Sequence, residues 1–193
     1  MMSPLIQNII RFAVIMAIQV LLLNTVELQN VTAVWGVSLF KPFFYLLFIL
    51  MLPSNLSKAA TMIICFITGY VMDKFTMATS VSSPPGLHET ACVLIGFMRP
   101  FILGLFFQHH TKEMNKPITP SLSKMGFKNF FIYIFIIVSL FICYYYIVEF
   151  WSFKFTDILK MLLKIVSCLF TTLILIILSQ VLFVDAGRQN RRR

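Results

Sequence analysis

Long apolar runs separated by short polar stretches dominate this chain. Runs over residues 5–23, 86–107, 130–148 and 161–184 each approach the length of about 20 residues that a helix needs to cross a bilayer. A shorter run over residues 58–72 follows a Pro-Ser-Asn turn and predicts a further spanning helix. The pattern therefore predicts an all-α, polytopic membrane bundle.

The apolar region over residues 31–52 is less regular, because Lys41 and Pro42 interrupt it. Only residues 43–52 are cleanly apolar, which corresponds to about 15 Å of helix. This region forms either a full, kinked span or a half-span that begins near Pro42. We favour a half-span over residues 42–52, with residues 31–40 packed at the outer surface. The sequence thus predicts about six transmembrane helices in one integral membrane domain, residues 1–193, with a basic tail at residues 185–193.

Composition favours the membrane over a soluble fold. Apolar residues make up 59% of the chain and charged residues only 12%, whereas ordinary globular chains hold about a quarter charged residues. So few charges could not cover a water-facing surface, but a lipid-facing surface favours apolar side chains. The net charge of +9 falls in short loops and in the tail. That distribution predicts membrane topology and argues against nucleic-acid binding.

The distribution of Lys and Arg also predicts orientation, since an even number of spans leaves both termini on one side. If that side is the cytoplasm, the inside segments hold Arg11, Lys58, Lys112, Lys116, Lys124, Lys128, Arg188, Arg191, Arg192 and Arg193. The outside segments hold Lys41, Lys74, Lys154 and Lys160. This excess obeys the positive-inside rule and predicts a multi-pass inner-membrane protein with both termini cytoplasmic.

Arg99 is the deepest ionisable residue, near the middle of the fourth predicted span, and Pro100 follows it. Ionisable groups inside a membrane are costly and often functional. One interpretation is a docking site or a site for an anionic ligand at a kink in the helix. The other is a side chain that extends to the cytoplasmic headgroups. Both interpretations stay open, and no acid lies at a matching depth.

Asp73, His88 and Glu89 are expected near the outer ends of the third and fourth spans. Two carboxylates and an imidazole could bind a metal or relay protons. We favour a structural interpretation, in which these residues cap helices and pair with Lys74.

Polar residues also predict which sides of the first and last spans face protein. These are Gln7, Asn8, Arg11 and Gln19 on the first span, and Ser167 and Thr171 on the last.

Recognisable catalytic motifs are missing from the sequence. It contains neither a Gly-x-Ser-x-Gly nucleophile motif nor a phosphate-binding glycine loop. Asp73 and Glu89 are the only acids at membrane depth between residues 30 and 110. We therefore predict a protein that is not an enzyme, with no catalytic residue, cofactor or metal.

Several strings in the spans carry a family resemblance. They are Pro42-Phe-Phe-Tyr45, Gly69-Tyr-Val-Met-Asp73, Gly86-Leu-His88 and Phe97-Met-Arg99-Pro100. Their order and spacing, over roughly residues 5–180, resemble the rod-shape-determining membrane protein family MreD. The loop at residues 76–85 is richer in Ser, Thr and Pro than that family leads us to expect, and Glu89 beside His88 is unusual.

The resemblance implies a noncatalytic scaffold or regulator of the cell-wall elongation complex in the bacterial inner (cytoplasmic) membrane. Such proteins bind MreC, and through the complex they link MreB filaments indirectly to RodA and its penicillin-binding transpeptidase. The implied fold resembles the substrate-binding subunits of energy-coupling-factor transporters. Family-like structural or partner-binding positions are Asp73, Gly86, His88, Arg99 and Pro100. The alternative that we retain is a small-solute-binding transporter subunit.

Overall fold

The computed structural model of the protein describes residues 4–24, 33–34, 37–38, 41–79, 85–107, 119–149 and 158–190. Helices dominate these ranges, and one pair of two-residue strands accompanies them. Four of the described helices are long and apolar enough to cross a membrane: Lys58–Thr76, Leu87–Phe106, Met125–Glu149 and Ile158–Leu182. The protein is therefore a helical membrane protein.

The elements follow one another in a simple order. Helix α1 (Pro4–Ile18) continues into a π-helical turn (Gln19–Leu23), and strands β1 (Ala33–Val34) and β2 (Val37–Ser38) then pair antiparallel. The remaining helices are α2 (Leu46–Leu50), α3 (Lys58–Thr79), α4 (Leu87–Phe107), α5 (Leu122–Glu149) and α6 (Ile158–Asn190).

Helix α2 has only five residues, so residues 43–52 do not form one continuous helix. Of the predicted outer segment 31–40, the structure describes only the backbone of the two short strands. Helix α5 begins at Leu122, before the apolar run that the sequence places at residues 130–148. Gly126 interrupts that helix with a φ of 74°, a conformation that glycine adopts without steric penalty. The hydrophobic pattern predicts the apolar run at residues 130–148 but not the helical turn at residues 122–125, which precedes this break.

Consecutive long helices pack against each other, and the contact between α3 and α4 is the most extensive among the described elements. Two glycines make this approach possible. A Cβ at Gly69 would lie 2.5 Å from Glu89 Cα, and a Cβ at Gly96 would lie 2.9 Å from Cys65 Sγ. Small residues at helix crossings commonly allow close packing in membranes. The hydrophobic effect contributes little to helix association there, because the lipid is as apolar as the helix surfaces.

The predicted protein-facing sides of α1 and α6 were partly wrong. On α1, Gln19 is buried, but Arg11 is exposed. On α6 the buried seam is one residue further along than predicted and comprises Cys168, Thr172, Ile176 and Gln180. Each residue turns a helix by about 100°, so a shift of one position selects a different face. The run of apolar residues around Ser167 and Thr171 contains no signal that would fix this rotation.

Candidate functional site

The centre of the protein is a short stretch of chain that the longer helices surround. This core segment, residues 41–52, contains α2 and its flanking turns, and most of its side chains are buried. Tyr45, Leu46, Leu47 and Ile49 have no exposed surface. Because a single helical turn leaves most of its backbone groups unpaired, such a segment needs partners from elsewhere inside a membrane.

Side chains from α6 and from the turn after α1 bind the first half of the core segment. The amide oxygen of Gln19 accepts hydrogen bonds from the backbone N–H groups of Phe44 at 2.8 Å and Tyr45 at 3.3 Å. The amide nitrogen of Gln19 donates to Pro42 O at 2.9 Å. Thr172 Oγ1 accepts from the N–H of Phe43 at 3.1 Å. The amino end of α2 is thereby fixed by two residues distant in sequence.

Arg99 binds the other end of the core segment, and this contact overturns both interpretations of that residue. Arg99 is only 2% exposed, and its guanidinium donates to the carbonyl oxygens of Leu50 and Leu52. Arg99 Nε also donates to the hydroxyl of Tyr133 at 3.2 Å, and that hydroxyl donates to Leu50 O at 3.2 Å. Arg99 therefore neither extends to the headgroups nor stands ready for an anion. It caps the carboxyl end of α2, where a positive charge also suits the helix dipole.

Asp73 and Gly86 form a second cap, between α3 and α4. The carboxylate of Asp73 accepts the backbone N–H of His88 at 3.1 Å and that of Glu89 at 3.0 Å. These N–H groups belong to the first turn of α4, which has no intrahelical acceptors for them. Gly86 precedes the helix with a φ of 81°, a left-handed conformation that favours glycine. Helix capping by Asp73 is therefore confirmed, but the predicted pairing with Lys74 is not seen among the described residues, where Lys74 Nζ lies 5.1 Å from the ring centroid of Tyr70.

His88 connects this cap to the core segment. Its Nδ1 shares a hydrogen bond of 2.8 Å with the hydroxyl of Tyr45. Its ring also lies among aromatic rings, with centroid distances of 5.7 Å to Phe43 and 5.0 Å to Tyr145. The Nε2 atom is buried, and no described residue offers it a hydrogen bond. His88 is thus a core residue that links α4 to the core segment.

Pro100 lies inside α4, which runs without interruption from Leu87 to Phe107. Its place beside Arg99 removes one backbone donor from the turn that carries the guanidinium. The five family-like positions therefore fall in two places. Arg99 and Pro100 lie at the carboxyl end of α2, and Asp73, Gly86 and His88 lie at the start of α4.

Most of these polar side chains form hydrogen bonds with backbone groups of the protein itself. Across the described ranges, no group of three or more His, Cys, Asp or Glu side chains is arranged to hold a metal ion. Sequence reasoning missed Tyr133 and Thr172 as partners of the core segment. Tyr133 stands in an apolar run without any distinguishing pattern, whereas a polar Gln19 in the first span was a usable signal.

Comparison with known proteins adds no relative to these observations. No protein-family model, no curated protein and no solved structure matches this chain.

Proposed function

We propose that this protein is a noncatalytic inner-membrane scaffold and regulator of a rod-shape cell-wall elongation complex, of the MreD kind. In that role it binds MreC and helps to link MreB filaments to RodA and the penicillin-binding transpeptidase. The proposal rests on the order and spacing of the family-like strings and on how the corresponding side chains are used.

One observation carries the noncatalytic part of the proposal. Arg99 and Asp73, the two charged family-like residues, are bonded to backbone groups of the core segment and of α4. A catalytic residue must instead present its polar atoms to a substrate. Residues that hold a core rigid suit a protein whose outer helix faces meet other membrane proteins.

The same proposal includes a topology of six membrane-embedded helices with both termini in the cytoplasm. Residues Asn8–Leu23 form an apolar helix of 16 residues, about 24 Å long, which suits a tilted or slightly short first span. The core segment supplies the second, incomplete span. Such an arrangement would resemble the substrate-binding subunits of energy-coupling-factor transporters.

Partner capture and depletion test the scaffold role together. We expect the tagged protein, purified in mild detergent, to copurify with MreC from the same bacterium. We also expect depletion to turn rods into round cells. A folded, membrane-inserted protein that captures no MreC, in cells that stay rod-shaped without it, would refute the proposal.

Conservative substitutions separate a scaffold from an enzyme. Asp73→Asn keeps a carbonyl acceptor for one N–H of α4, and His88→Gln keeps a polar side chain near Tyr45. We expect both variants to fold, to retain MreC and to restore rod shape. An enzyme that used this carboxylate or imidazole for proton transfer would lose its activity in both, by about 10²-fold or more. Loss of rod shape with normal folding and normal MreC capture would therefore favour an enzyme.

A small-solute-binding transporter subunit is the second candidate, and the incomplete helix α2 favours it. Transporters often bind their substrates at the ends of such broken helices. Against it, Gln19, Thr172 and Arg99 already bind the ends of this one. A groove of about 340 Å³ lies between α1, α2 and α3, but Asn8 and Thr68 are its only polar lining residues within the described ranges. Mass spectrometry of the purified protein decides the matter, since a solute-binding subunit should retain a stoichiometric small molecule.

A further inference from the structure

A second groove, of about 480 Å³, runs along the outer face of α4. Glu89, Thr90, Leu94 and Phe97 contribute to it from α4. The last three follow the spacing of one helical face, and the stretch from Glu89 to Phe97 measures about 12 Å along the axis. The groove is therefore a channel that follows α4 for about two helical turns.

Large side chains from the neighbouring helices form the walls of this groove. Met62 and Phe66 of α3 border one side, and Tyr144 of α5 borders the other. Phe66 and Phe97 are 48% and 45% exposed, so their rings project beside the channel. A ridge of side chains from another helix fits between two such walls, as in ordinary helix packing.

The carboxylate of Glu89 lies at one end of this apolar channel. The side chain is half-buried, and its backbone N–H is taken by Asp73. Among the described residues, the carboxylate itself has no hydrogen bond and no ion pair. Carboxylates in a membrane protein are normally paired, because isolated charge is poorly solvated there.

From this combination we infer that the groove seats one transmembrane helix of a partner protein, and that the helix carries a Lys or Arg opposite Glu89. The cation lies within the first turn from the membrane boundary, as Glu89 does in α4. This inference deepens the proposed scaffold role and rests on it, since it assigns a surface and a rule of recognition to partner binding.

The sign of the charge favours a helix over a lipid. Any amine headgroup of a phospholipid carries a phosphate beside the amine, and the carboxylate would repel that phosphate. Bacterial membranes also bear a negative surface potential, which a second negative charge does not complement. A Lys or Arg side chain brings a positive charge alone, and the apolar body of its helix fills the channel.

A photocrosslinking experiment with model helices tests the inference. The full-length protein, carrying benzoylphenylalanine in place of Phe97, is reconstituted in nanodiscs of phosphatidylethanolamine and phosphatidylglycerol. Peptides of leucine and alanine, long enough to span, carry a single Lys, Gln or Glu one turn from the end. The matched control carries the crosslinker in place of Phe170, a ring on α6 that is 61% exposed.

At Phe97 we expect the Lys peptide to crosslink about tenfold more than the Gln peptide, the factor that corresponds to one desolvated ion pair of modest strength. Glu89→Gln should remove this preference, whereas Glu149→Gln, which neutralises an acid of α5 outside the groove, should preserve it. At Phe170 the peptides should not differ.

Three results would overturn the inference. They are equal crosslinking of the Lys and Gln peptides, a Lys preference that survives Glu89→Gln, and a groove filled by phosphatidylethanolamine or by a second copy of this chain that the Lys peptide fails to displace.

Crosslinking of MreC separates this inference from the function on which it rests. If MreC copurifies but crosslinks elsewhere and ignores Glu89→Gln, the groove assignment fails and the scaffold role stands. If MreC does not copurify while the Lys peptide still binds in a Glu89-dependent manner, the scaffold role fails and the recognition rule stands.

Discussion

The core segment and helix α6 use hydrophobic sequence in opposite ways. The core segment holds a single helical turn, yet it is buried among the other helices. Helix α6 contains one of the most apolar spans, Ile158–Leu182, but only 22% of that span is buried, against 44% in the span of α5. Inside a membrane, apolar side chains can face lipid, whereas an incomplete helix must be enclosed because its free backbone groups need partners. Burial here follows the needs of the backbone and not the hydropathy of the side chains.

The largest effect should come from the cap that α4 supplies to the core segment. Arg99→Met would leave the carbonyl oxygens of Leu50 and Leu52 without their guanidinium donor. We expect a loss of about 2–4 kcal/mol in the free energy of unfolding, because unsatisfied buried polar groups each cost about 1–3 kcal/mol. Thermal or denaturant unfolding in detergent measures it. Arg11→Met, at an exposed arginine on α1, is the control and should change stability by less than about 0.5 kcal/mol. Equal effects at the two positions would contradict the role of Arg99 as a cap.

A smaller effect is expected where α3 and α4 touch. Gly69→Ala places a methyl group 2.5 Å from Glu89 Cα, which forces the helices apart and should cost about 1–3 kcal/mol. Gly104→Ala in α4 meets nothing within 4 Å, so it should be neutral or stabilise by up to about 1 kcal/mol through helix propensity. The melting temperatures of the two variants, measured side by side, test this contrast. Equal stability of Gly69→Ala and Gly104→Ala would contradict it.

Two adjacent threonines of α6 give the smallest and sharpest test. Thr172→Val removes the acceptor of the Phe43 N–H in the core segment and should cost about 1 kcal/mol. The hydroxyl of Thr171 donates to carbonyls of its own helix, whose groups are already paired there, so Thr171→Val should change stability by less than about 0.5 kcal/mol. Unfolding of both variants in the same detergent provides the comparison. A larger loss at Thr171 would mean that the seam on α6 is assigned to the wrong face.

Sequence reasoning recovered the long helices because their apolar runs are continuous, and it separated residues 43–52 from the preceding stretch because Lys41 and Pro42 interrupt the apolar region. The capping role of Asp73 was also predictable, since Asp is a common helix cap. The role of Arg99 was not. Its partners are backbone carbonyls 47 and 49 residues away in the chain, and backbone groups leave no mark in a sequence. Likewise, nothing in the apolar run of α5 distinguishes Tyr133 from its neighbours.

The distance in sequence between the core segment and its partners affects how the protein is made. Phe43 and the Thr172 that binds it are separated by 129 residues, which a ribosome needs roughly 6–26 s to add. During that interval the core segment lacks the side chains of α6, and those of α4 and α5 are added only in its course. Residues 41–52 therefore lack their partner on α6 until the last helix has been made. Truncation before Thr172 should leave a chain that inserts some of its helices but remains a target for membrane proteases.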